Sequence, residues 1–347
     1  MKPYYQDNFI TLYNGDCRDV LPQLERESVQ CVVTSPPYFG LRNYSHDSQI
    51  GLEPTPQEFV GELTNVLLMA RDAMRKDGTL FLNLGDSYAG SRKGPAGNLK
   101  DHGERHLEHI NGGARYGLKP KDLIGVPWRV AFALQDAGFW LRQDIIWSKP
   151  NPRPESVRDR CTKAHEYIFL LTKAAKYFYD AEAIAETITW SLSMRLAQNV
   201  EAQSGSARVP GKTNGNMKAV RKQFYSSQGG GGTSFKGHSG YFKADGTPIC
   251  GDTRNKRSVW NITTKPYSEA HFATFPPELP ETCIKAGTKE GDTVLDPFAG
   301  AGTTLIVAKN LGRKAIGIEL NPDYCKIIVD RIKSKAFLSL FDEESDR

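Results

Sequence analysis

Apolar residues along this chain fall into short runs separated by stretches with helical spacing. Phe9 to Tyr13 is one such run, closing on Asn14-Gly15-Asp16. Val29-Gln30-Cys31-Val32-Val33-Thr34 is a second, stopping abruptly at Ser35-Pro36-Pro37-Tyr38. Runs of this kind bounded by turn residues read as buried strands. From Phe59 to Ala73 the period changes. Phe59, Leu63, Val66, Leu67, Ala70 and Met74 recur at helical spacing, and Lys76-Asp77-Gly78 is the expected stop. Thr79 to Leu84 follows as a strand and Val126 to Ala137 as a helix with Pro127 in its first turn. Phe139 to Trp147 and Tyr167 to Thr172 complete this half as strands. Order resumes at Ser258 to Ile262. Thr293 to Phe298 then reads as a strand, Ala299 to Thr304 as a glycine turn and Leu305 to Leu311 as a helix stopped at Gly312. Lys314 to Glu319 is a second strand, and Asn321-Pro322-Asp323 caps a closing helix. Strands alternating with helices predict an α/β fold with a largely parallel sheet.

Two stretches interrupt this rhythm. Residues 87–121 are rich in Gly, Lys, Arg and His and too long for a plain connection, which predicts a mobile functional loop. Arg92, Lys93, Arg105 and Arg115 are among its basic residues. His102, His106 and His109 share helical spacing there, but a solvated polar face explains them and no metal site is expected. The second stretch, from about residue 191 to 257, holds four consecutive glycines and much Ser and Asn. A low-complexity linker is one reading. Charge changes the picture: residues 195–257 carry eleven Lys/Arg against three Asp/Glu, a net +8, in a chain whose total is +5. Phe224, Tyr225, Phe235, Tyr241 and Phe242 are interleaved with those charges. Basic residues mixed with aromatics favour a nucleic-acid surface.

Composition otherwise excludes more than it selects. A hydrophobic content of 39% and a charged content of 24% are ordinary for a soluble globular protein, and no apolar run approaches membrane-spanning length. Met1 to Asp7 lacks the apolar stretch of a signal peptide. The six cysteines are scattered without a C-x-x-C pair, so a cytoplasmic protein without a disulfide framework is expected.

The chemistry is concentrated at two places. Two consecutive prolines after a strand fix φ twice and remove two N–H donors. With a small hydroxyl and a flat aromatic beside them, the residues Ser35 to Tyr38 form either a plain strand-ending turn or a rigid holder for a planar amino group. The glycine turn at Gly300-Ala301-Gly302 lets backbone approach a ligand closely, and Glu319 lies 19 residues after Gly300, where an acid grips ribose hydroxyls in a nucleoside-binding unit. A dinucleotide fingerprint needs Gly or Ala at 305, where Leu305 stands, so NAD is disfavoured.

Asp296-Pro297-Phe298-Ala299-Gly300-Ala301-Gly302-Thr303-Thr304 together with Thr34-Ser35-Pro36-Pro37-Tyr38 closely resembles the amino-group DNA methyltransferases, which use S-adenosyl-L-methionine. The order of the motifs resembles the beta class of that family. Asn14-Gly15-Asp16 resembles the block that contacts the cofactor adenine. His271 to Pro276 resembles the block before the cofactor loop, and Trp147-Ser148-Lys149-Pro150-Asn151 resembles a further family block. The likeness covers about residues 9–180 and 258–333.

The resemblance implies a Rossmann-like, mostly parallel class I methyltransferase fold, circularly permuted around an inserted target-recognition region. Its expected parts are residues 1–185 (catalytic), 186–257 (target recognition) and 258–347 (cofactor-binding). It implies a catalytic role for Ser35, Pro36, Pro37 and Tyr38. Cofactor contacts are expected from Asp16, Cys17, Phe275, Asp296, Phe298, Gly300, Gly302, Thr303 and Glu319. DNA contacts are expected from Arg208, Lys212, Lys218, Arg221, Lys222, Arg254, Lys256 and Arg257. The implied partners are double-stranded DNA, a second copy of the chain and a separate cognate restriction endonuclease, in a bacterial or phage-encoded, nucleoid-associated setting.

Methyl transfer to a base amine needs hydrogen-bond acceptors on its N–H groups, a role suited to the Ser35 hydroxyl and the Pro36 carbonyl, with Tyr38 stacking on a flipped base. Methylation at carbon 5 of cytosine uses a cysteine nucleophile, usually in a Pro-Cys pair, and no cysteine here follows a proline. In the family, Ser in first place goes with N4 of cytosine and Asp with N6 of adenine; the hydroxyl can serve either, and cytosine N4 is favoured. RNA or protein methyl transfer and a non-catalytic DNA-binding regulator are the rival functions.

Overall fold

The computed structural model describes residues 1–41, 49–89, 118–187, 241–242, 248–249, 253–264 and 275–334. The chain divides into two compact units, residues 1–183 with 257–347, and residues 184–256.

The first unit is built on a nine-stranded sheet. In chain order its strands are β1 (Tyr5–Gln6), β2 (Ile10–Asn14), β3 (Val29–Thr34), β4 (Met74–Leu84), β5 (Trp140–Ser148) and β6 (His165–Thr172). The short strands β7 (Glu186–Thr187), β8 (Tyr241–Phe242), β9 (Pro248–Ile249) and β10 (Thr253–Arg254) belong to the second unit. There β7 pairs with β10 and β8 with β9, both antiparallel. The large sheet is completed by β11 (Val259–Asn261), β12 (Thr293–Asp296) and β13 (Lys314–Glu319), in the order β1-β2-β13-β12-β3-β4-β6-β5-β11. From β2 to β4 all neighbours run parallel. Strand β6 runs antiparallel to both β4 and β5. The carboxyl ends of β2, β13, β12, β3 and β4 therefore share one edge of the sheet with the amino end of β6 and the carboxyl end of β5.

Helix α1 (Cys17–Val20) follows β2. Helix α2 (Pro56–Ala73) starts at Thr55, whose hydroxyl accepts from the Glu58 N–H. Its Phe59, Leu63, Val66, Leu67 and Ala70 are buried in a core shared with helix α3 (Val126–Asp136) and with Val32, Leu80 and Leu82 of the sheet. On the opposite face, helix α4 (Glu278–Gly287) comes so close that a Cβ on Gly287 would lie 2.6 Å from Thr79 Oγ1 and 2.8 Å from Cys31 Sγ. Helices α5 (Thr303–Asn310) and α6 (Pro322–Lys333) complete the unit. All six residues of β3 are buried, as a strand covered on both faces requires.

The expected strands and helices are present, with three differences. The expected stop at Lys76-Asp77-Gly78 lies inside β4, which starts directly after α2. The register with β3 shifts between Val29 and Cys31, and a Cβ on Gly78 would meet the Arg75 and Gln30 carbonyls at 3.0 and 3.1 Å. Glycine here serves a bulge, not a helix end. The strand expected to reach Phe298 ends at Asp296, because Pro297 cannot donate to a ladder. Helices α1 and α4 have no counterpart among the elements that the apolar pattern predicts.

Candidate active site

Strand β12 ends in a buried carboxylate. Asp296 is 1% exposed, and its oxygens accept from Thr34 Oγ1 (2.7 Å), Thr304 Oγ1 (2.7 Å) and the Phe298 N–H (3.1 Å). Burial pushes its pKa up to about 6 against these hydrogen bonds. The chain then turns through Gly300 (φ 54°) and Gly302 (φ 75°) into α5. Both angles lie in the left-handed region that glycine enters freely. A Cβ on Gly302 would also sit 2.9 Å from Ile328 of α6.

Leu305, the residue that breaks the dinucleotide pattern, is fully buried. Room for it is made across the interface: a Cβ on Gly317 of β13 would lie 2.5 Å from Leu305 Cδ1. The close helix-to-strand approach that a third small residue would give in the helix is provided here by the strand.

Strand β13 ends at Glu319, two residues past Gly317, the partner of Asp296 in the sheet. Its carboxylate accepts from the Gly300 N–H and the Asn321 N–H, each at 2.8 Å. Burial, with a contribution from Asp296, pushes it up to about 7. The end of β2 is tied to the same place: Gly15 N–H and the Asn14 amide donate to the Glu319 carbonyl at 3.0 Å. Asp16 caps α1 by accepting from the Arg18 N–H and pairs with the Arg18 guanidinium at 2.6 Å. Burial pushes the Cys17 thiol up to about 12, so it stays protonated at neutral pH.

These ends enclose one cleft of about 970 Å³, counting space open to solvent. It is lined by Asp16, Cys17, Phe275, Asp296, Phe298, Gly300, Thr303 and Glu319 of the expected cofactor residues and by Ser35 and Pro37 of the expected catalytic ones. Gly302 stands behind the turn as the cap of α5.

Pro36 is buried and Tyr38 half-buried beside the cleft. The loop carrying them is clamped: Gly40 N–H donates to the Gly51 carbonyl at 2.8 Å, and a Cβ on Gly51 would meet Pro37 at 3.3 Å. Gly85 makes space for the Tyr38 ring, since a Cβ there would lie 2.6 Å from it.

Behind Ser35 lies a polar cluster in which Tyr38 and Lys149 belong to motifs noted in the sequence and Asn83 and Glu166 to none. The Asn83 amide, near the end of β4, donates to Tyr38 Oη (2.9 Å), Glu166 Oε2 (3.1 Å) and Ser35 Oγ (3.3 Å). Tyr38 Oη donates to Glu166 Oε2 at 2.7 Å and lies 3.4 Å from Ser35 Oγ. Lys149, just past β5, pairs with the other Glu166 oxygen and lies 4.2 Å over the Trp147 ring. The antiparallel course of β6 puts Glu166, at its start, beside the carboxyl ends of its neighbours.

Of the expected DNA-contacting residues, Arg254 is described and paired with Glu186 at 3.2 Å. Lys256 and Arg257 follow it, Lys256 partly exposed and Arg257 exposed. Arg208, Lys212, Lys218, Arg221 and Lys222 lie outside the described residues, as do Arg92, Lys93, Arg105, Arg115 and the three histidines of the 87–121 stretch. Among the described residues no helix is long and apolar enough to cross a membrane.

The family model of N6/N4 methyltransferases, described as DNA methylase, matches residues 29–330. The chain belongs to the DNA methylase family. This methylase is 41% identical over 328 residues to the Type II methyltransferase M.Cfr9I of Citrobacter freundii, covering 94% of the chain and 89% of that protein. Its fold is similar to that of PvuII DNA methyltransferase (cytosine-N4-specific), with a TM-score of 0.59 and 18% identity over 96% of this chain and 90% of that one. It is also similar to TTHA0409 from Thermus thermophilus complexed with S-adenosyl-L-methionine, with a TM-score of 0.52 and 24% identity over 92% of each chain.

Proposed function

We propose that this methylase transfers the methyl group of S-adenosyl-L-methionine to the exocyclic amino group of a base flipped out of double-stranded DNA, with N4 of cytosine as the target. The observation that carries the reading is the place of Ser35: it lines the same cleft as Gly300 and Glu319. The catalytic loop and the cofactor turn are thus one site, although 265 positions separate Ser35 from Gly300.

The residues present fit the cofactor. Gly300 and Gly302 allow close backbone approach, the buried Glu319 carboxylate suits ribose hydroxyls, and the apolar wall of Phe275, Pro297 and Phe298 suits an adenine ring. S-adenosyl-L-methionine, when bound, supplies an electrophilic methyl group on a sulfonium. The Ser35 hydroxyl and the Pro36 carbonyl accept hydrogen bonds from the amine and stabilise the positive charge that grows on its nitrogen. Tyr38 provides a ring for the base to stack on. The clamped loop holds these groups before the base arrives, so little reorganisation accompanies the reaction.

Cytosine N4 rests on serine in first place of the motif and on the likeness in fold to an enzyme named cytosine-N4-specific. The basic stretch at 195–257 contributes the DNA-reading surface, and a dimer and a cognate restriction endonuclease are the expected partners. Digesting enzyme-treated DNA to nucleosides for mass spectrometry tests the target. N4-methylcytosine is the expected product; N6-methyladenine would move the target to adenine, and absence of both would overturn the reading.

A further inference from the structure

The cluster behind Ser35 has a defined hydrogen-bond polarity. An amide nitrogen only donates, so Asn83 Nδ2, its two N–H bonds shared among three oxygens, makes acceptors of Ser35 Oγ, Tyr38 Oη and Glu166 Oε2. An ionised carboxylate only accepts, so the Tyr38 hydroxyl proton points at Glu166. The Ser35 proton then points at Tyr38 Oη, 3.4 Å away. This leaves a Ser35 lone pair for an amine N–H in the cleft. The oxygens form an ordered line, Ser35 to Tyr38 to Glu166, ending in an anion.

We propose that this line is a proton relay, with Glu166 as the terminal acceptor of the proton that the methylated amine must lose. The proposal rests on Ser35 facing the target amine, as set out above. As the N–C bond forms, the S–C bond breaks and sulfur keeps its electron pair. The nitrogen, now cationic, gives an N–H proton to Ser35 Oγ. Ser35 passes its own proton to Tyr38 Oη, and Tyr38 passes its proton to Glu166 Oε2. The carboxylate becomes a carboxylic acid, and both hydroxyls end neutral. The lone pair of a cytosine or adenine amine is delocalised into an electron-poor ring and only a cationic nitrogen loses that delocalisation, so the methylated ammonium is a stronger acid than a carboxylic acid and the transfer runs downhill. Glu166 keeps 16% of its side chain exposed, which gives the proton a way to water.

Lys149, Lys163 and His165 are the titratable groups that surround Glu166. The Lys149 ammonium pairs with the Glu166 oxygen that Tyr38 does not use. Asn83 carries no exchangeable role; it holds the three oxygens in line. Glu166 acts through Tyr38 and Ser35 and is a positioning and proton-accepting residue that does not touch the substrate.

Single-turnover methyl transfer by Glu166→Gln tests the relay. Gln can still accept from Tyr38 but cannot take a proton. The expected result is a rate constant lower by on the order of 10²-fold, with KM for DNA and calorimetric affinity for S-adenosyl-L-methionine within about twofold of wild type. Glu166→Asp should restore part of the rate. Tyr38→Phe, which breaks the line at its middle, should cost a similar factor, and adding it to Glu166→Gln should cost little more. A wild-type rate in Glu166→Gln, or fully additive losses, would overturn the relay. If Glu166→Gln does not fold, a wild-type rate in Tyr38→Phe would do the same. Failure of the wild type to methylate any DNA amine would instead overturn the reading of Ser35 on which the relay rests.

Discussion

The Thr34 hydroxyl donates to the Asp296 carboxylate at 2.7 Å across 262 positions of sequence. Thr34 ends the strand that leads into Ser35, and Asp296 ends the strand that leads into the glycine turn. The bond joins the two halves of the site at their base. Thr304, in the first turn of α5, binds the other Asp296 oxygen at 2.7 Å, so one buried acid fixes both loops and the helix that follows.

Thr34→Val keeps the side-chain shape and removes the donor. Asp296 then keeps only Thr304 and the Phe298 N–H. Loss of a buried hydrogen bond to a charged group costs about 1–3 kcal/mol. Denaturant unfolding should show a loss of that size, and calorimetry should show weaker cofactor binding. A variant as stable as wild type would exclude the latch.

Stability should also depend on pH through the same acid. Burial raises Asp296 to about 6 and Glu319 to about 7. An acid raised in the folded state stabilises the fold while protonated. That contribution is complete below the unfolded value of about 4 and is lost as pH rises through 6 to 7. For Asp296 it amounts to roughly 2–3 kcal/mol, from a shift of about two pKa units. Asp7 has the opposite sign. Against burial, Lys309 and the Ile10 and Phe9 amides hold it at about 2, so its contribution is lost only in acid. Asp296→Asn, whose amide stands in for the protonated acid, should flatten the fall in melting temperature of the ligand-free protein between pH 5 and 8. Parallel curves for the variant and wild type would contradict this.

Gly302→Ala places a Cβ at φ 75° and 2.9 Å from Ile328. A left-handed residue with a side chain costs about 1–2 kcal/mol before the clash is counted. Chemical denaturation should show a loss of at least that size. Measured against Ile328→Ala alone, adding Gly302→Ala should cost only the backbone part of the stability loss, because the clash is gone. Wild-type stability in Gly302→Ala would mean that the turn adopts another path.

Neutralising pairs among Arg208, Lys212, Lys218, Arg221 and Lys222 should weaken DNA binding and lower its salt dependence. For every phosphate no longer neutralised, the slope of log K against log salt should shrink by about 0.9. Fluorescence anisotropy across a salt series measures this; an unchanged slope would remove these residues from the interface.

Much of the fold was legible because buried parallel strands are nearly continuous apolar runs. Val29 to Thr34, Thr293 to Asp296 and Lys314 to Glu319 stand out for that reason. Helix α4 was not legible. Pro276, Pro277 and Pro280 read as breakers, yet a proline in a first turn gives up an N–H that has no partner there. Ser35, Gly300 and Glu319 carry local signals, namely proline, glycine and acid at strand ends, whereas Asp16, Cys17, Phe275, Asp296, Phe298 and Thr303 of the same cleft were expected from the family resemblance. Glu166 and Asn83 carry no such signal. Glu166 opens an ordinary strand, and only the reversal of β6 brings it to the site. Asn83 sits in a run of apolar residues, and only the register of β3 and β4 sets it behind Ser35.

Methyl transfer by Ser35→Ala tests the central claim most directly, namely that the hydroxyl in the shared cleft accepts the target amine. Single-turnover transfer of labelled methyl to DNA should fall by about 10²- to 10³-fold, as when one preorganised group facing developing charge is removed. Cofactor affinity, measured by calorimetry on the same sample, should stay within about twofold of wild type. A rate equal to wild type would contradict the account, and so would a rate loss matched by an equal loss of cofactor affinity.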